Sequence, residues 1–183
     1  MEDSRIVELY QKRDRSAISE SQERYGAYLK AIAVNILGSA QDAEECINDA
    51  LMRAWESIPP QRPAKLGAFL GRIIRNLAID RYRQERALKK GGGQTELCLE
   101  ELEGCIGEGS SLEDRLVLRE QLNSFLDALE EKNRELFMLR YWYMMPVKEI
   151  AKSCGQSEGA VKMSLKRTRD KLKNYLEKEG GTL

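Results

Sequence analysis

Apolar residues in this chain fall into short stripes with the period of an α-helix. Tyr25, Tyr28, Leu29, Ile32, Ala33, Ile36 and Leu37 advance by steps of three and one, which puts them on one helix face. Gly38 ends that run. Ser39 then stands three residues before Asp42, a hydroxyl–carboxyl spacing that predicts a new helix start. Ala43, Cys46, Ile47, Ala50, Leu51, Ala54 and Trp55 repeat the stepping until Pro59, Pro60 and Pro63 interrupt it. Phe69, Leu70, Ile73, Ile74, Leu77 and Ala78 make a third stripe. Three such stripes can bury one another in a small bundle.

The pattern then lapses and resumes. Residues 87–113 are rich in Gly, Ser and Glu and hold no sustained period, which predicts a flexible tether with one short ordered piece around 97–102. Fully extended, it would reach roughly 80–90 Å, more than one DNA turn of about 34–36 Å. Leu118, Leu122, Phe125, Leu126 and Leu129 form another stripe, and Leu136, Phe137, Arg140, Tyr141 and Met144 a further one. Pro146 suits the first position of a short helix. The expected fold is all-α: an N-terminal extension over 1–17, a helical domain over 18–86, an acidic linker over 87–113, a second helical domain over 114–178 and a tail over 179–183.

Charge sharpens this division. The 183 residues carry 30 basic and 30 acidic side chains, a formal net charge of zero. Yet residues 1–93 hold 16 basic and 13 acidic groups, residues 94–131 hold 2 and 11, and residues 132–183 hold 12 and 6. Two mildly basic units flank an acidic segment. No apolar run approaches the roughly 20 residues of a membrane span. The start, MEDSRIVELYQKRDR, lacks the apolar stretch of a secretory signal. A cytoplasmic protein without membrane insertion is expected.

Composition also narrows the chemistry. Histidine is absent, and Cys46, Cys98, Cys105 and Cys154 form no C-x-x-C pair. Neither a zinc site nor another cofactor is expected. Cys46 and Cys154 fall at apolar helix positions, where a reduced thiol acts as a small hydrophobe. Without His the usual general base is missing, which argues against an enzyme.

The strongest signal runs from Val147 to Arg167 and reads as helix-turn-helix. Ile150 and Ala151 face inward, Gly155 supplies a turn with positive φ, and Ser157 is the N-cap of the second helix. Val161 and Leu165 anchor that helix. Its opposite face offers Lys162, Met163, Lys166, Arg167 and Arg169. A recognition helix places its early residues on base edges and basic residues on phosphates. The bland alternative is a helical hairpin with a solvated basic face.

At this point a family resemblance appears. EIAKSCGQSEGAVKMSLKRTRDKLK resembles region 4 of the extracytoplasmic-function (ECF) sigma factors. The resemblance implies contacts to the −35 promoter element at Ser157, Lys162, Met163, Lys166 and Arg167, and a hold on the polymerase β flap. Met163-Ser164 stands where the family often has Ser-Arg. Met144-Met145-Pro146-Val147 replaces the usual Gly-Leu-Ser-Tyr. Both departures bear on base preference.

The N-terminal unit is similar to region 2 of the same family. Asp42-Ala-Glu-Glu-Cys-Ile-Asn-Asp-Ala-Leu resembles the family's Asp-Ala-Glu-Asp-Leu-Val-Gln-Glu motif. Asp42, Glu45 and Asp49 stand at i, i+3 and i+7, away from the apolar stripe. The resemblance implies that this ridge docks on the β′ coiled coil; a metal site and a plain solvated face are the alternatives. Residues 66–83 are similar to the family's melting and −10 helix. Arg72, Arg75, Asn76, Arg81 and Arg83 lie outside the apolar stripe and could follow a backbone or contact unstacked bases; the carry-over puts −10 contacts at Arg72, Arg75, Asn76, Asp80 and Arg83. Asp80 could instead pair with a nearby arginine, and Phe69 is either core or a melting wedge. Residues 60–65 correspond to the loop that captures a flipped base, although Pro-Gln-Arg-Pro-Ala-Lys differs from the common Phe-Arg-Gly.

The resemblance therefore implies a sigma factor: a non-catalytic subunit that binds core RNA polymerase and directs promoter recognition and DNA melting for transcription initiation. Its implied partners are core polymerase, promoter DNA and an anti-sigma factor. In related factors the linker runs through polymerase channels; here it could equally be a solubilising spacer. Two rivals stand beside this reading. One is an autonomous helix-turn-helix regulator, which leaves the acidic ridge unexplained. The other is a metal-dependent nucleic-acid hydrolase using Asp42, Glu45 and Asp49, which lacks a second carboxylate group.

Overall fold

The computed structural model describes residues 2–88, 93–106 and 112–180, and the elements within them are helical. The chain divides into two compact units, Met1–Gly91 and Gly92–Leu183.

In the first unit, α1 (Asp3–Gln11), α2 (Ser16–Leu37), α3 (Ala40–Ser57) and α4 (Leu66–Leu88) pack together. The predicted stripes face one core: Leu29, Ile32, Ala33 and Ile36 from α2, Ala43, Cys46, Ile47 and Ala50 from α3, and Leu70, Ile74 and Ala78 from α4 are buried. Each fully buried Leu or Ile stabilises the bundle by about 1.5–3 kcal/mol. α2 stops at Gly38, whose φ of 71° suits a residue without Cβ. The Ser39 hydroxyl then accepts the Asp42 amide at 3.3 Å, which caps α3 as its spacing predicts. α4 can lie close to α2 because two glycines face two tyrosines. A Cβ on Gly67 would sit 2.7 Å from the Tyr25 ring, and one on Gly71 would overlap the Tyr28 hydroxyl.

The segment 1–17, expected as an extension, contributes to this core. Ile6, Val7 and Tyr10 of α1 are buried against α2 and α4. The Tyr10 and Ser21 hydroxyls bond at 2.9 Å, and burial pushes the Tyr10 pKa up. Three apolar residues at i, i+1 and i+4 are one helical turn. That is enough to dock on a formed bundle and too short to stand out as a stripe.

The second unit holds α5 (Gln94–Ile106), α6 (Leu112–Ala128), α7 (Glu131–Phe137), α8 (Val147–Cys154) and α9 (Glu158–Gly180). A π-turn over Met138–Trp142 continues α7. Phe125, Leu136, Phe137, Tyr141, Met144, Ile150, Val161, Leu165 and Leu172 are buried. Met144 has φ 53°, a left-handed conformation natural to the glycine that the family usually carries there. Its fully buried side chain, worth about 1.5–3 kcal/mol, offsets a backbone cost of about 1–2 kcal/mol.

Within the tether expected over 87–113, the ordered piece is longer than the expected 97–102. Residues 94–106 form α5, which packs on α9 and on the π-turn, with Thr95 and Cys98 buried. As helix, its 13 residues span about 20 Å instead of about 45 Å extended. Its partners lie far along the chain, so periodicity does not reveal them. Residues 89–92 and 107–111 of the linker, and 181–183 of the tail, lie outside the described residues. Among the described residues, no helix is long and apolar enough to cross a membrane.

Candidate nucleic-acid interface

The helix-turn-helix is built by its local sequence. Pro146 occupies the N-cap of α8, one position earlier than its predicted place inside the helix. Gly155 ends α8 with φ 62°, and the Ser157 hydroxyl accepts the Ala160 amide at 3.1 Å to cap α9. Val161, Leu165, Thr168 and Leu172 turn one face of α9 into the core. Ser157, Lys162, Met163, Lys166 and Arg167 are all exposed, with half of the Met163 surface open to solvent. Met163 and Arg167 border a cleft of about 410 Å³ with Asn133 and Lys171. On its inner side the Ser164 hydroxyl donates to the Asn133 side chain at 2.8 Å.

Arg169 does not join that face as its position suggests. Its guanidinium donates to the Tyr141 hydroxyl at 2.6 Å and to Glu101 at 3.4 Å. The same Glu101 carboxylate takes two bonds from Arg140, each at 3.3 Å, and the Tyr141 hydroxyl at 2.8 Å. Arg140 is 1% exposed and also donates to the Met145 carbonyl. Burial holds the Tyr141 pKa well above the ordinary tyrosine value. The π-turn carries Arg140 and Tyr141 together toward α5, so one linker carboxylate is the hub of a largely buried network.

In the first unit, Arg72, Asn76 and Asp80 follow one another by single turns along α4. They line a cleft of about 170 Å³ with Arg53 and Ser57 of α3 and Gln61 of the connecting loop. Phe69 is buried in the floor of this cleft, and the Arg72 guanidinium lies 5.7 Å over its ring. Asp80 is exposed in the cleft. Arg83 is exposed one turn beyond it, whereas Arg75 is half-buried and does not line the cleft.

Asp42, Glu45 and Asp49 share one face of α3, with Glu45 and Asp49 well exposed. Arg81 of α4 crosses to them: its guanidinium donates to Glu45 at 3.3 Å, Asp49 at 2.9 Å and the Asp42 carbonyl at 3.3 Å. Among the described residues, no group of three or more carboxylate or cysteine side chains is arranged to hold a metal ion. Cys46 is buried beneath the ridge, and burial pushes its thiol up to about 11. Such a thiol is an inert packing group at neutral pH.

Residues 22–88 match the model of Sigma-70 region 2, and residues 119–172 match that of Sigma-70, region 4. The chain belongs to the sigma-70 family, in its ECF branch. It is similar to the RNA polymerase sigma-E factor of Streptomyces antibioticus, 30% identical over 74% of this chain and 71% of that protein. It is also similar to the ECF RNA polymerase sigma factor EcfG of Rhodopseudomonas palustris (strain TIE-1), at 29% identity over 81% of that protein and 83% of this chain. SigW of Bacillus subtilis (strain 168), another ECF sigma factor, is 26% identical over 93% of this chain and 94% of its own length. This sigma factor binds core RNA polymerase and directs promoter recognition; it is not an enzyme. The rivals, a polymerase-independent regulator and a hydrolase, are set aside.

Sequence reasoning missed three features of this sigma factor. Arg53 of region 2 lines the α4 cleft although it stands on α3, outside the helix that carries the resemblance. Glu101 anchors α5 on region 4 from the short ordered piece of the expected tether, to which the sequence assigns no partner. Helix α1 lies before the matched residues. Only α1 left a local signal, the turn formed by Ile6, Val7 and Tyr10.

Proposed function

We propose that this sigma factor grips a promoter in two physical states, opened strand at −10 and intact duplex at −35. What carries the reading is that α4 and α9 each bury one face and leave a polar, largely basic face exposed. On α9, Ser157, Lys162, Met163, Lys166 and Arg167 enter the major groove, the lysines and arginine on phosphates and base edges. On α4, Arg72, Asn76 and Asp80 take an unstacked −10 base in the cleft above Phe69. Arg75 and Arg83 contribute charge along the strand. Phe69 acts as the floor of the cleft, since its ring is already buried.

Asp42, Glu45 and Asp49 dock on the β′ coiled coil, and region 4 rests on the β flap. Arg81 holds the ridge until a basic partner surface replaces it. Region 2 spans about 18–86 with α1 as its support; region 4 spans about 114–178 and takes α5 from the linker. The protein acts in the cytoplasm beside the polymerase, and an anti-sigma factor is a further partner to be sought. The polymerase performs the nucleotidyl transfer.

The test is transcription by reconstituted holoenzyme. Lys166→Ala with Arg167→Ala should lower −35-dependent initiation by roughly tenfold or more and reduce the salt slope of promoter binding by about 2. Affinity for core polymerase should stay unchanged. Equal loss of polymerase binding would overturn the assignment of α9 to DNA.

A further inference from the structure

The loop between α3 and α4 contains Pro59, Pro60 and Pro63, three residues without a backbone N–H. Such a loop has few donors of its own, and the Gln61 backbone amide donates back to the Ser57 carbonyl at 3.0 Å. The N-terminal segment ties the loop and the helix ends beside it at three points, twice as donor and once as acceptor. The Arg13 guanidinium donates to the Trp55 carbonyl in the last turn of α3 and lies 5.4 Å over the Trp55 ring. The Gln11 amide donates to the Gln61 carbonyl in mid-loop at 2.8 Å. The Asp3 carboxylate accepts the Leu66 amide, the first of α4, at 3.0 Å, and is itself held by the Tyr25 hydroxyl and Arg24. Gln61, Phe69 and Arg72 line the same cleft. Of the three tied residues Gln61 lines the cleft, and Trp55 and Leu66 hold the helix ends on either side of the loop.

We infer that Gln11 and Arg13 are positioning residues that set the shape of the region 2 nucleotide cleft, and through it the choice of base at −10. This rests on the reading of that cleft given above. Arg13 holds a left-handed φ of 57°, so its reach to Trp55 comes from an uncommon backbone state at the end of α1. Neither residue belongs to the buried set Ile6, Val7 and Tyr10, which fixes α1 on the bundle. Docking and positioning are thus carried by different side chains, and the second can be removed without the first. A base-reading site loses discrimination when its walls move by about an ångström.

The experiment uses full-length sigma with core polymerase on promoters that differ by one base across the −10 element. Opening is followed by a fluorescent base analogue in the element. Gln11→Glu turns a donor into a charged acceptor facing a carbonyl. Gln11→Glu and Arg13→Ala should flatten the ratio of opening rates between best and worst base by roughly threefold to tenfold. Gln11→Ala should do so less, and Arg13→Lys should restore part of the ratio lost in Arg13→Ala. Thermal midpoint and polymerase affinity should not change. Asn76→Ala is the control for the cleft. Lost discrimination in Asn76→Ala with none in Gln11→Glu or Arg13→Ala overturns this inference alone. Unchanged ratios in all three, Asn76→Ala included, overturn the cleft reading with it. A fall in stability or polymerase affinity that matches the fall in discrimination makes Gln11 and Arg13 ordinary fold residues and also overturns it.

Discussion

Region 2 and region 4 each contain an arginine–carboxylate cluster, and the two differ in what surrounds them. In region 2, Arg81 meets Glu45 and Asp49, whose side chains are 60% and 58% exposed. In region 4, Arg140 is 1% exposed and meets Glu101 through two parallel bonds, with Tyr141 and Arg169 completing the shell. The chemistry is the same and the solvent is not. In water an ion pair contributes about 0–1 kcal/mol and exchanges readily. Away from water, leaving one charge unpaired costs several times more. The first cluster suits a surface that must accept a partner. The second suits a joint that must hold.

Breaking the buried joint should have the largest effect. Glu101→Ala leaves Arg140 without its carboxylate and should cost about 3 kcal/mol, the lower end for a buried pair because Glu101 is itself 21% exposed. Hydrogen exchange across α5 and α9 should rise while region 2 stays protected. A neutral result would make the joint decorative.

Alkali should act on the same joint with a smaller effect. Tyr141 has its pKa raised above the ordinary 10 chiefly by burial. A group whose folded pKa is raised gives stability that is complete below its unfolded pKa, here about pH 10. Above that value the unfolded chain ionises first and stability falls. Region 4 should lose its α5–α9 protection as pH climbs past about 10, and Tyr141→Phe should reduce that dependence to the part that the Cys105 thiol of α5, also pushed up by burial, contributes. Tyr10 raises the same expectation for region 2, so Tyr141→Phe must leave region 2's alkaline response intact.

The smallest effect on stability belongs to the exposed cluster. Arg81→Ala should change it by less than about 1 kcal/mol. Polymerase affinity should hold or rise, because the ridge no longer has an internal cation to displace. Reversing the charges of Asp42, Glu45 and Asp49 should weaken polymerase binding. Unchanged holoenzyme assembly in that variant would break the docking proposal.

The same contrast explains what the sequence made legible. Stripes such as Ala43–Ala54 and the Gly155–Ser157 turn announce themselves because each depends on neighbours three or four residues away. The exposed face of α9 was readable as the complement of Val161 and Leu165. Arg140 stands in the apolar stripe that runs from α7 into the π-turn as its one charged member, and burial there demands a partner. That partner, Glu101, lies 39 residues back in a Gly- and Glu-rich stretch without period, so nothing local could name it. Arg169, 68 residues from Glu101, falls by its position on the exposed basic face of α9 for the same reason. Gln11 and Gln61, 50 residues apart, meet only because α1 docks on a finished bundle.

The most direct test of the central claim is strand-resolved footprinting of the reconstituted holoenzyme on one promoter. Unpaired, reactive bases at −10 should depend on Asn76 and Arg72, and protected duplex at −35 should depend on Lys166 and Arg167. Loss of both footprints from either pair of substitutions, or a −10 element that opens without region 2's cleft, would contradict that claim.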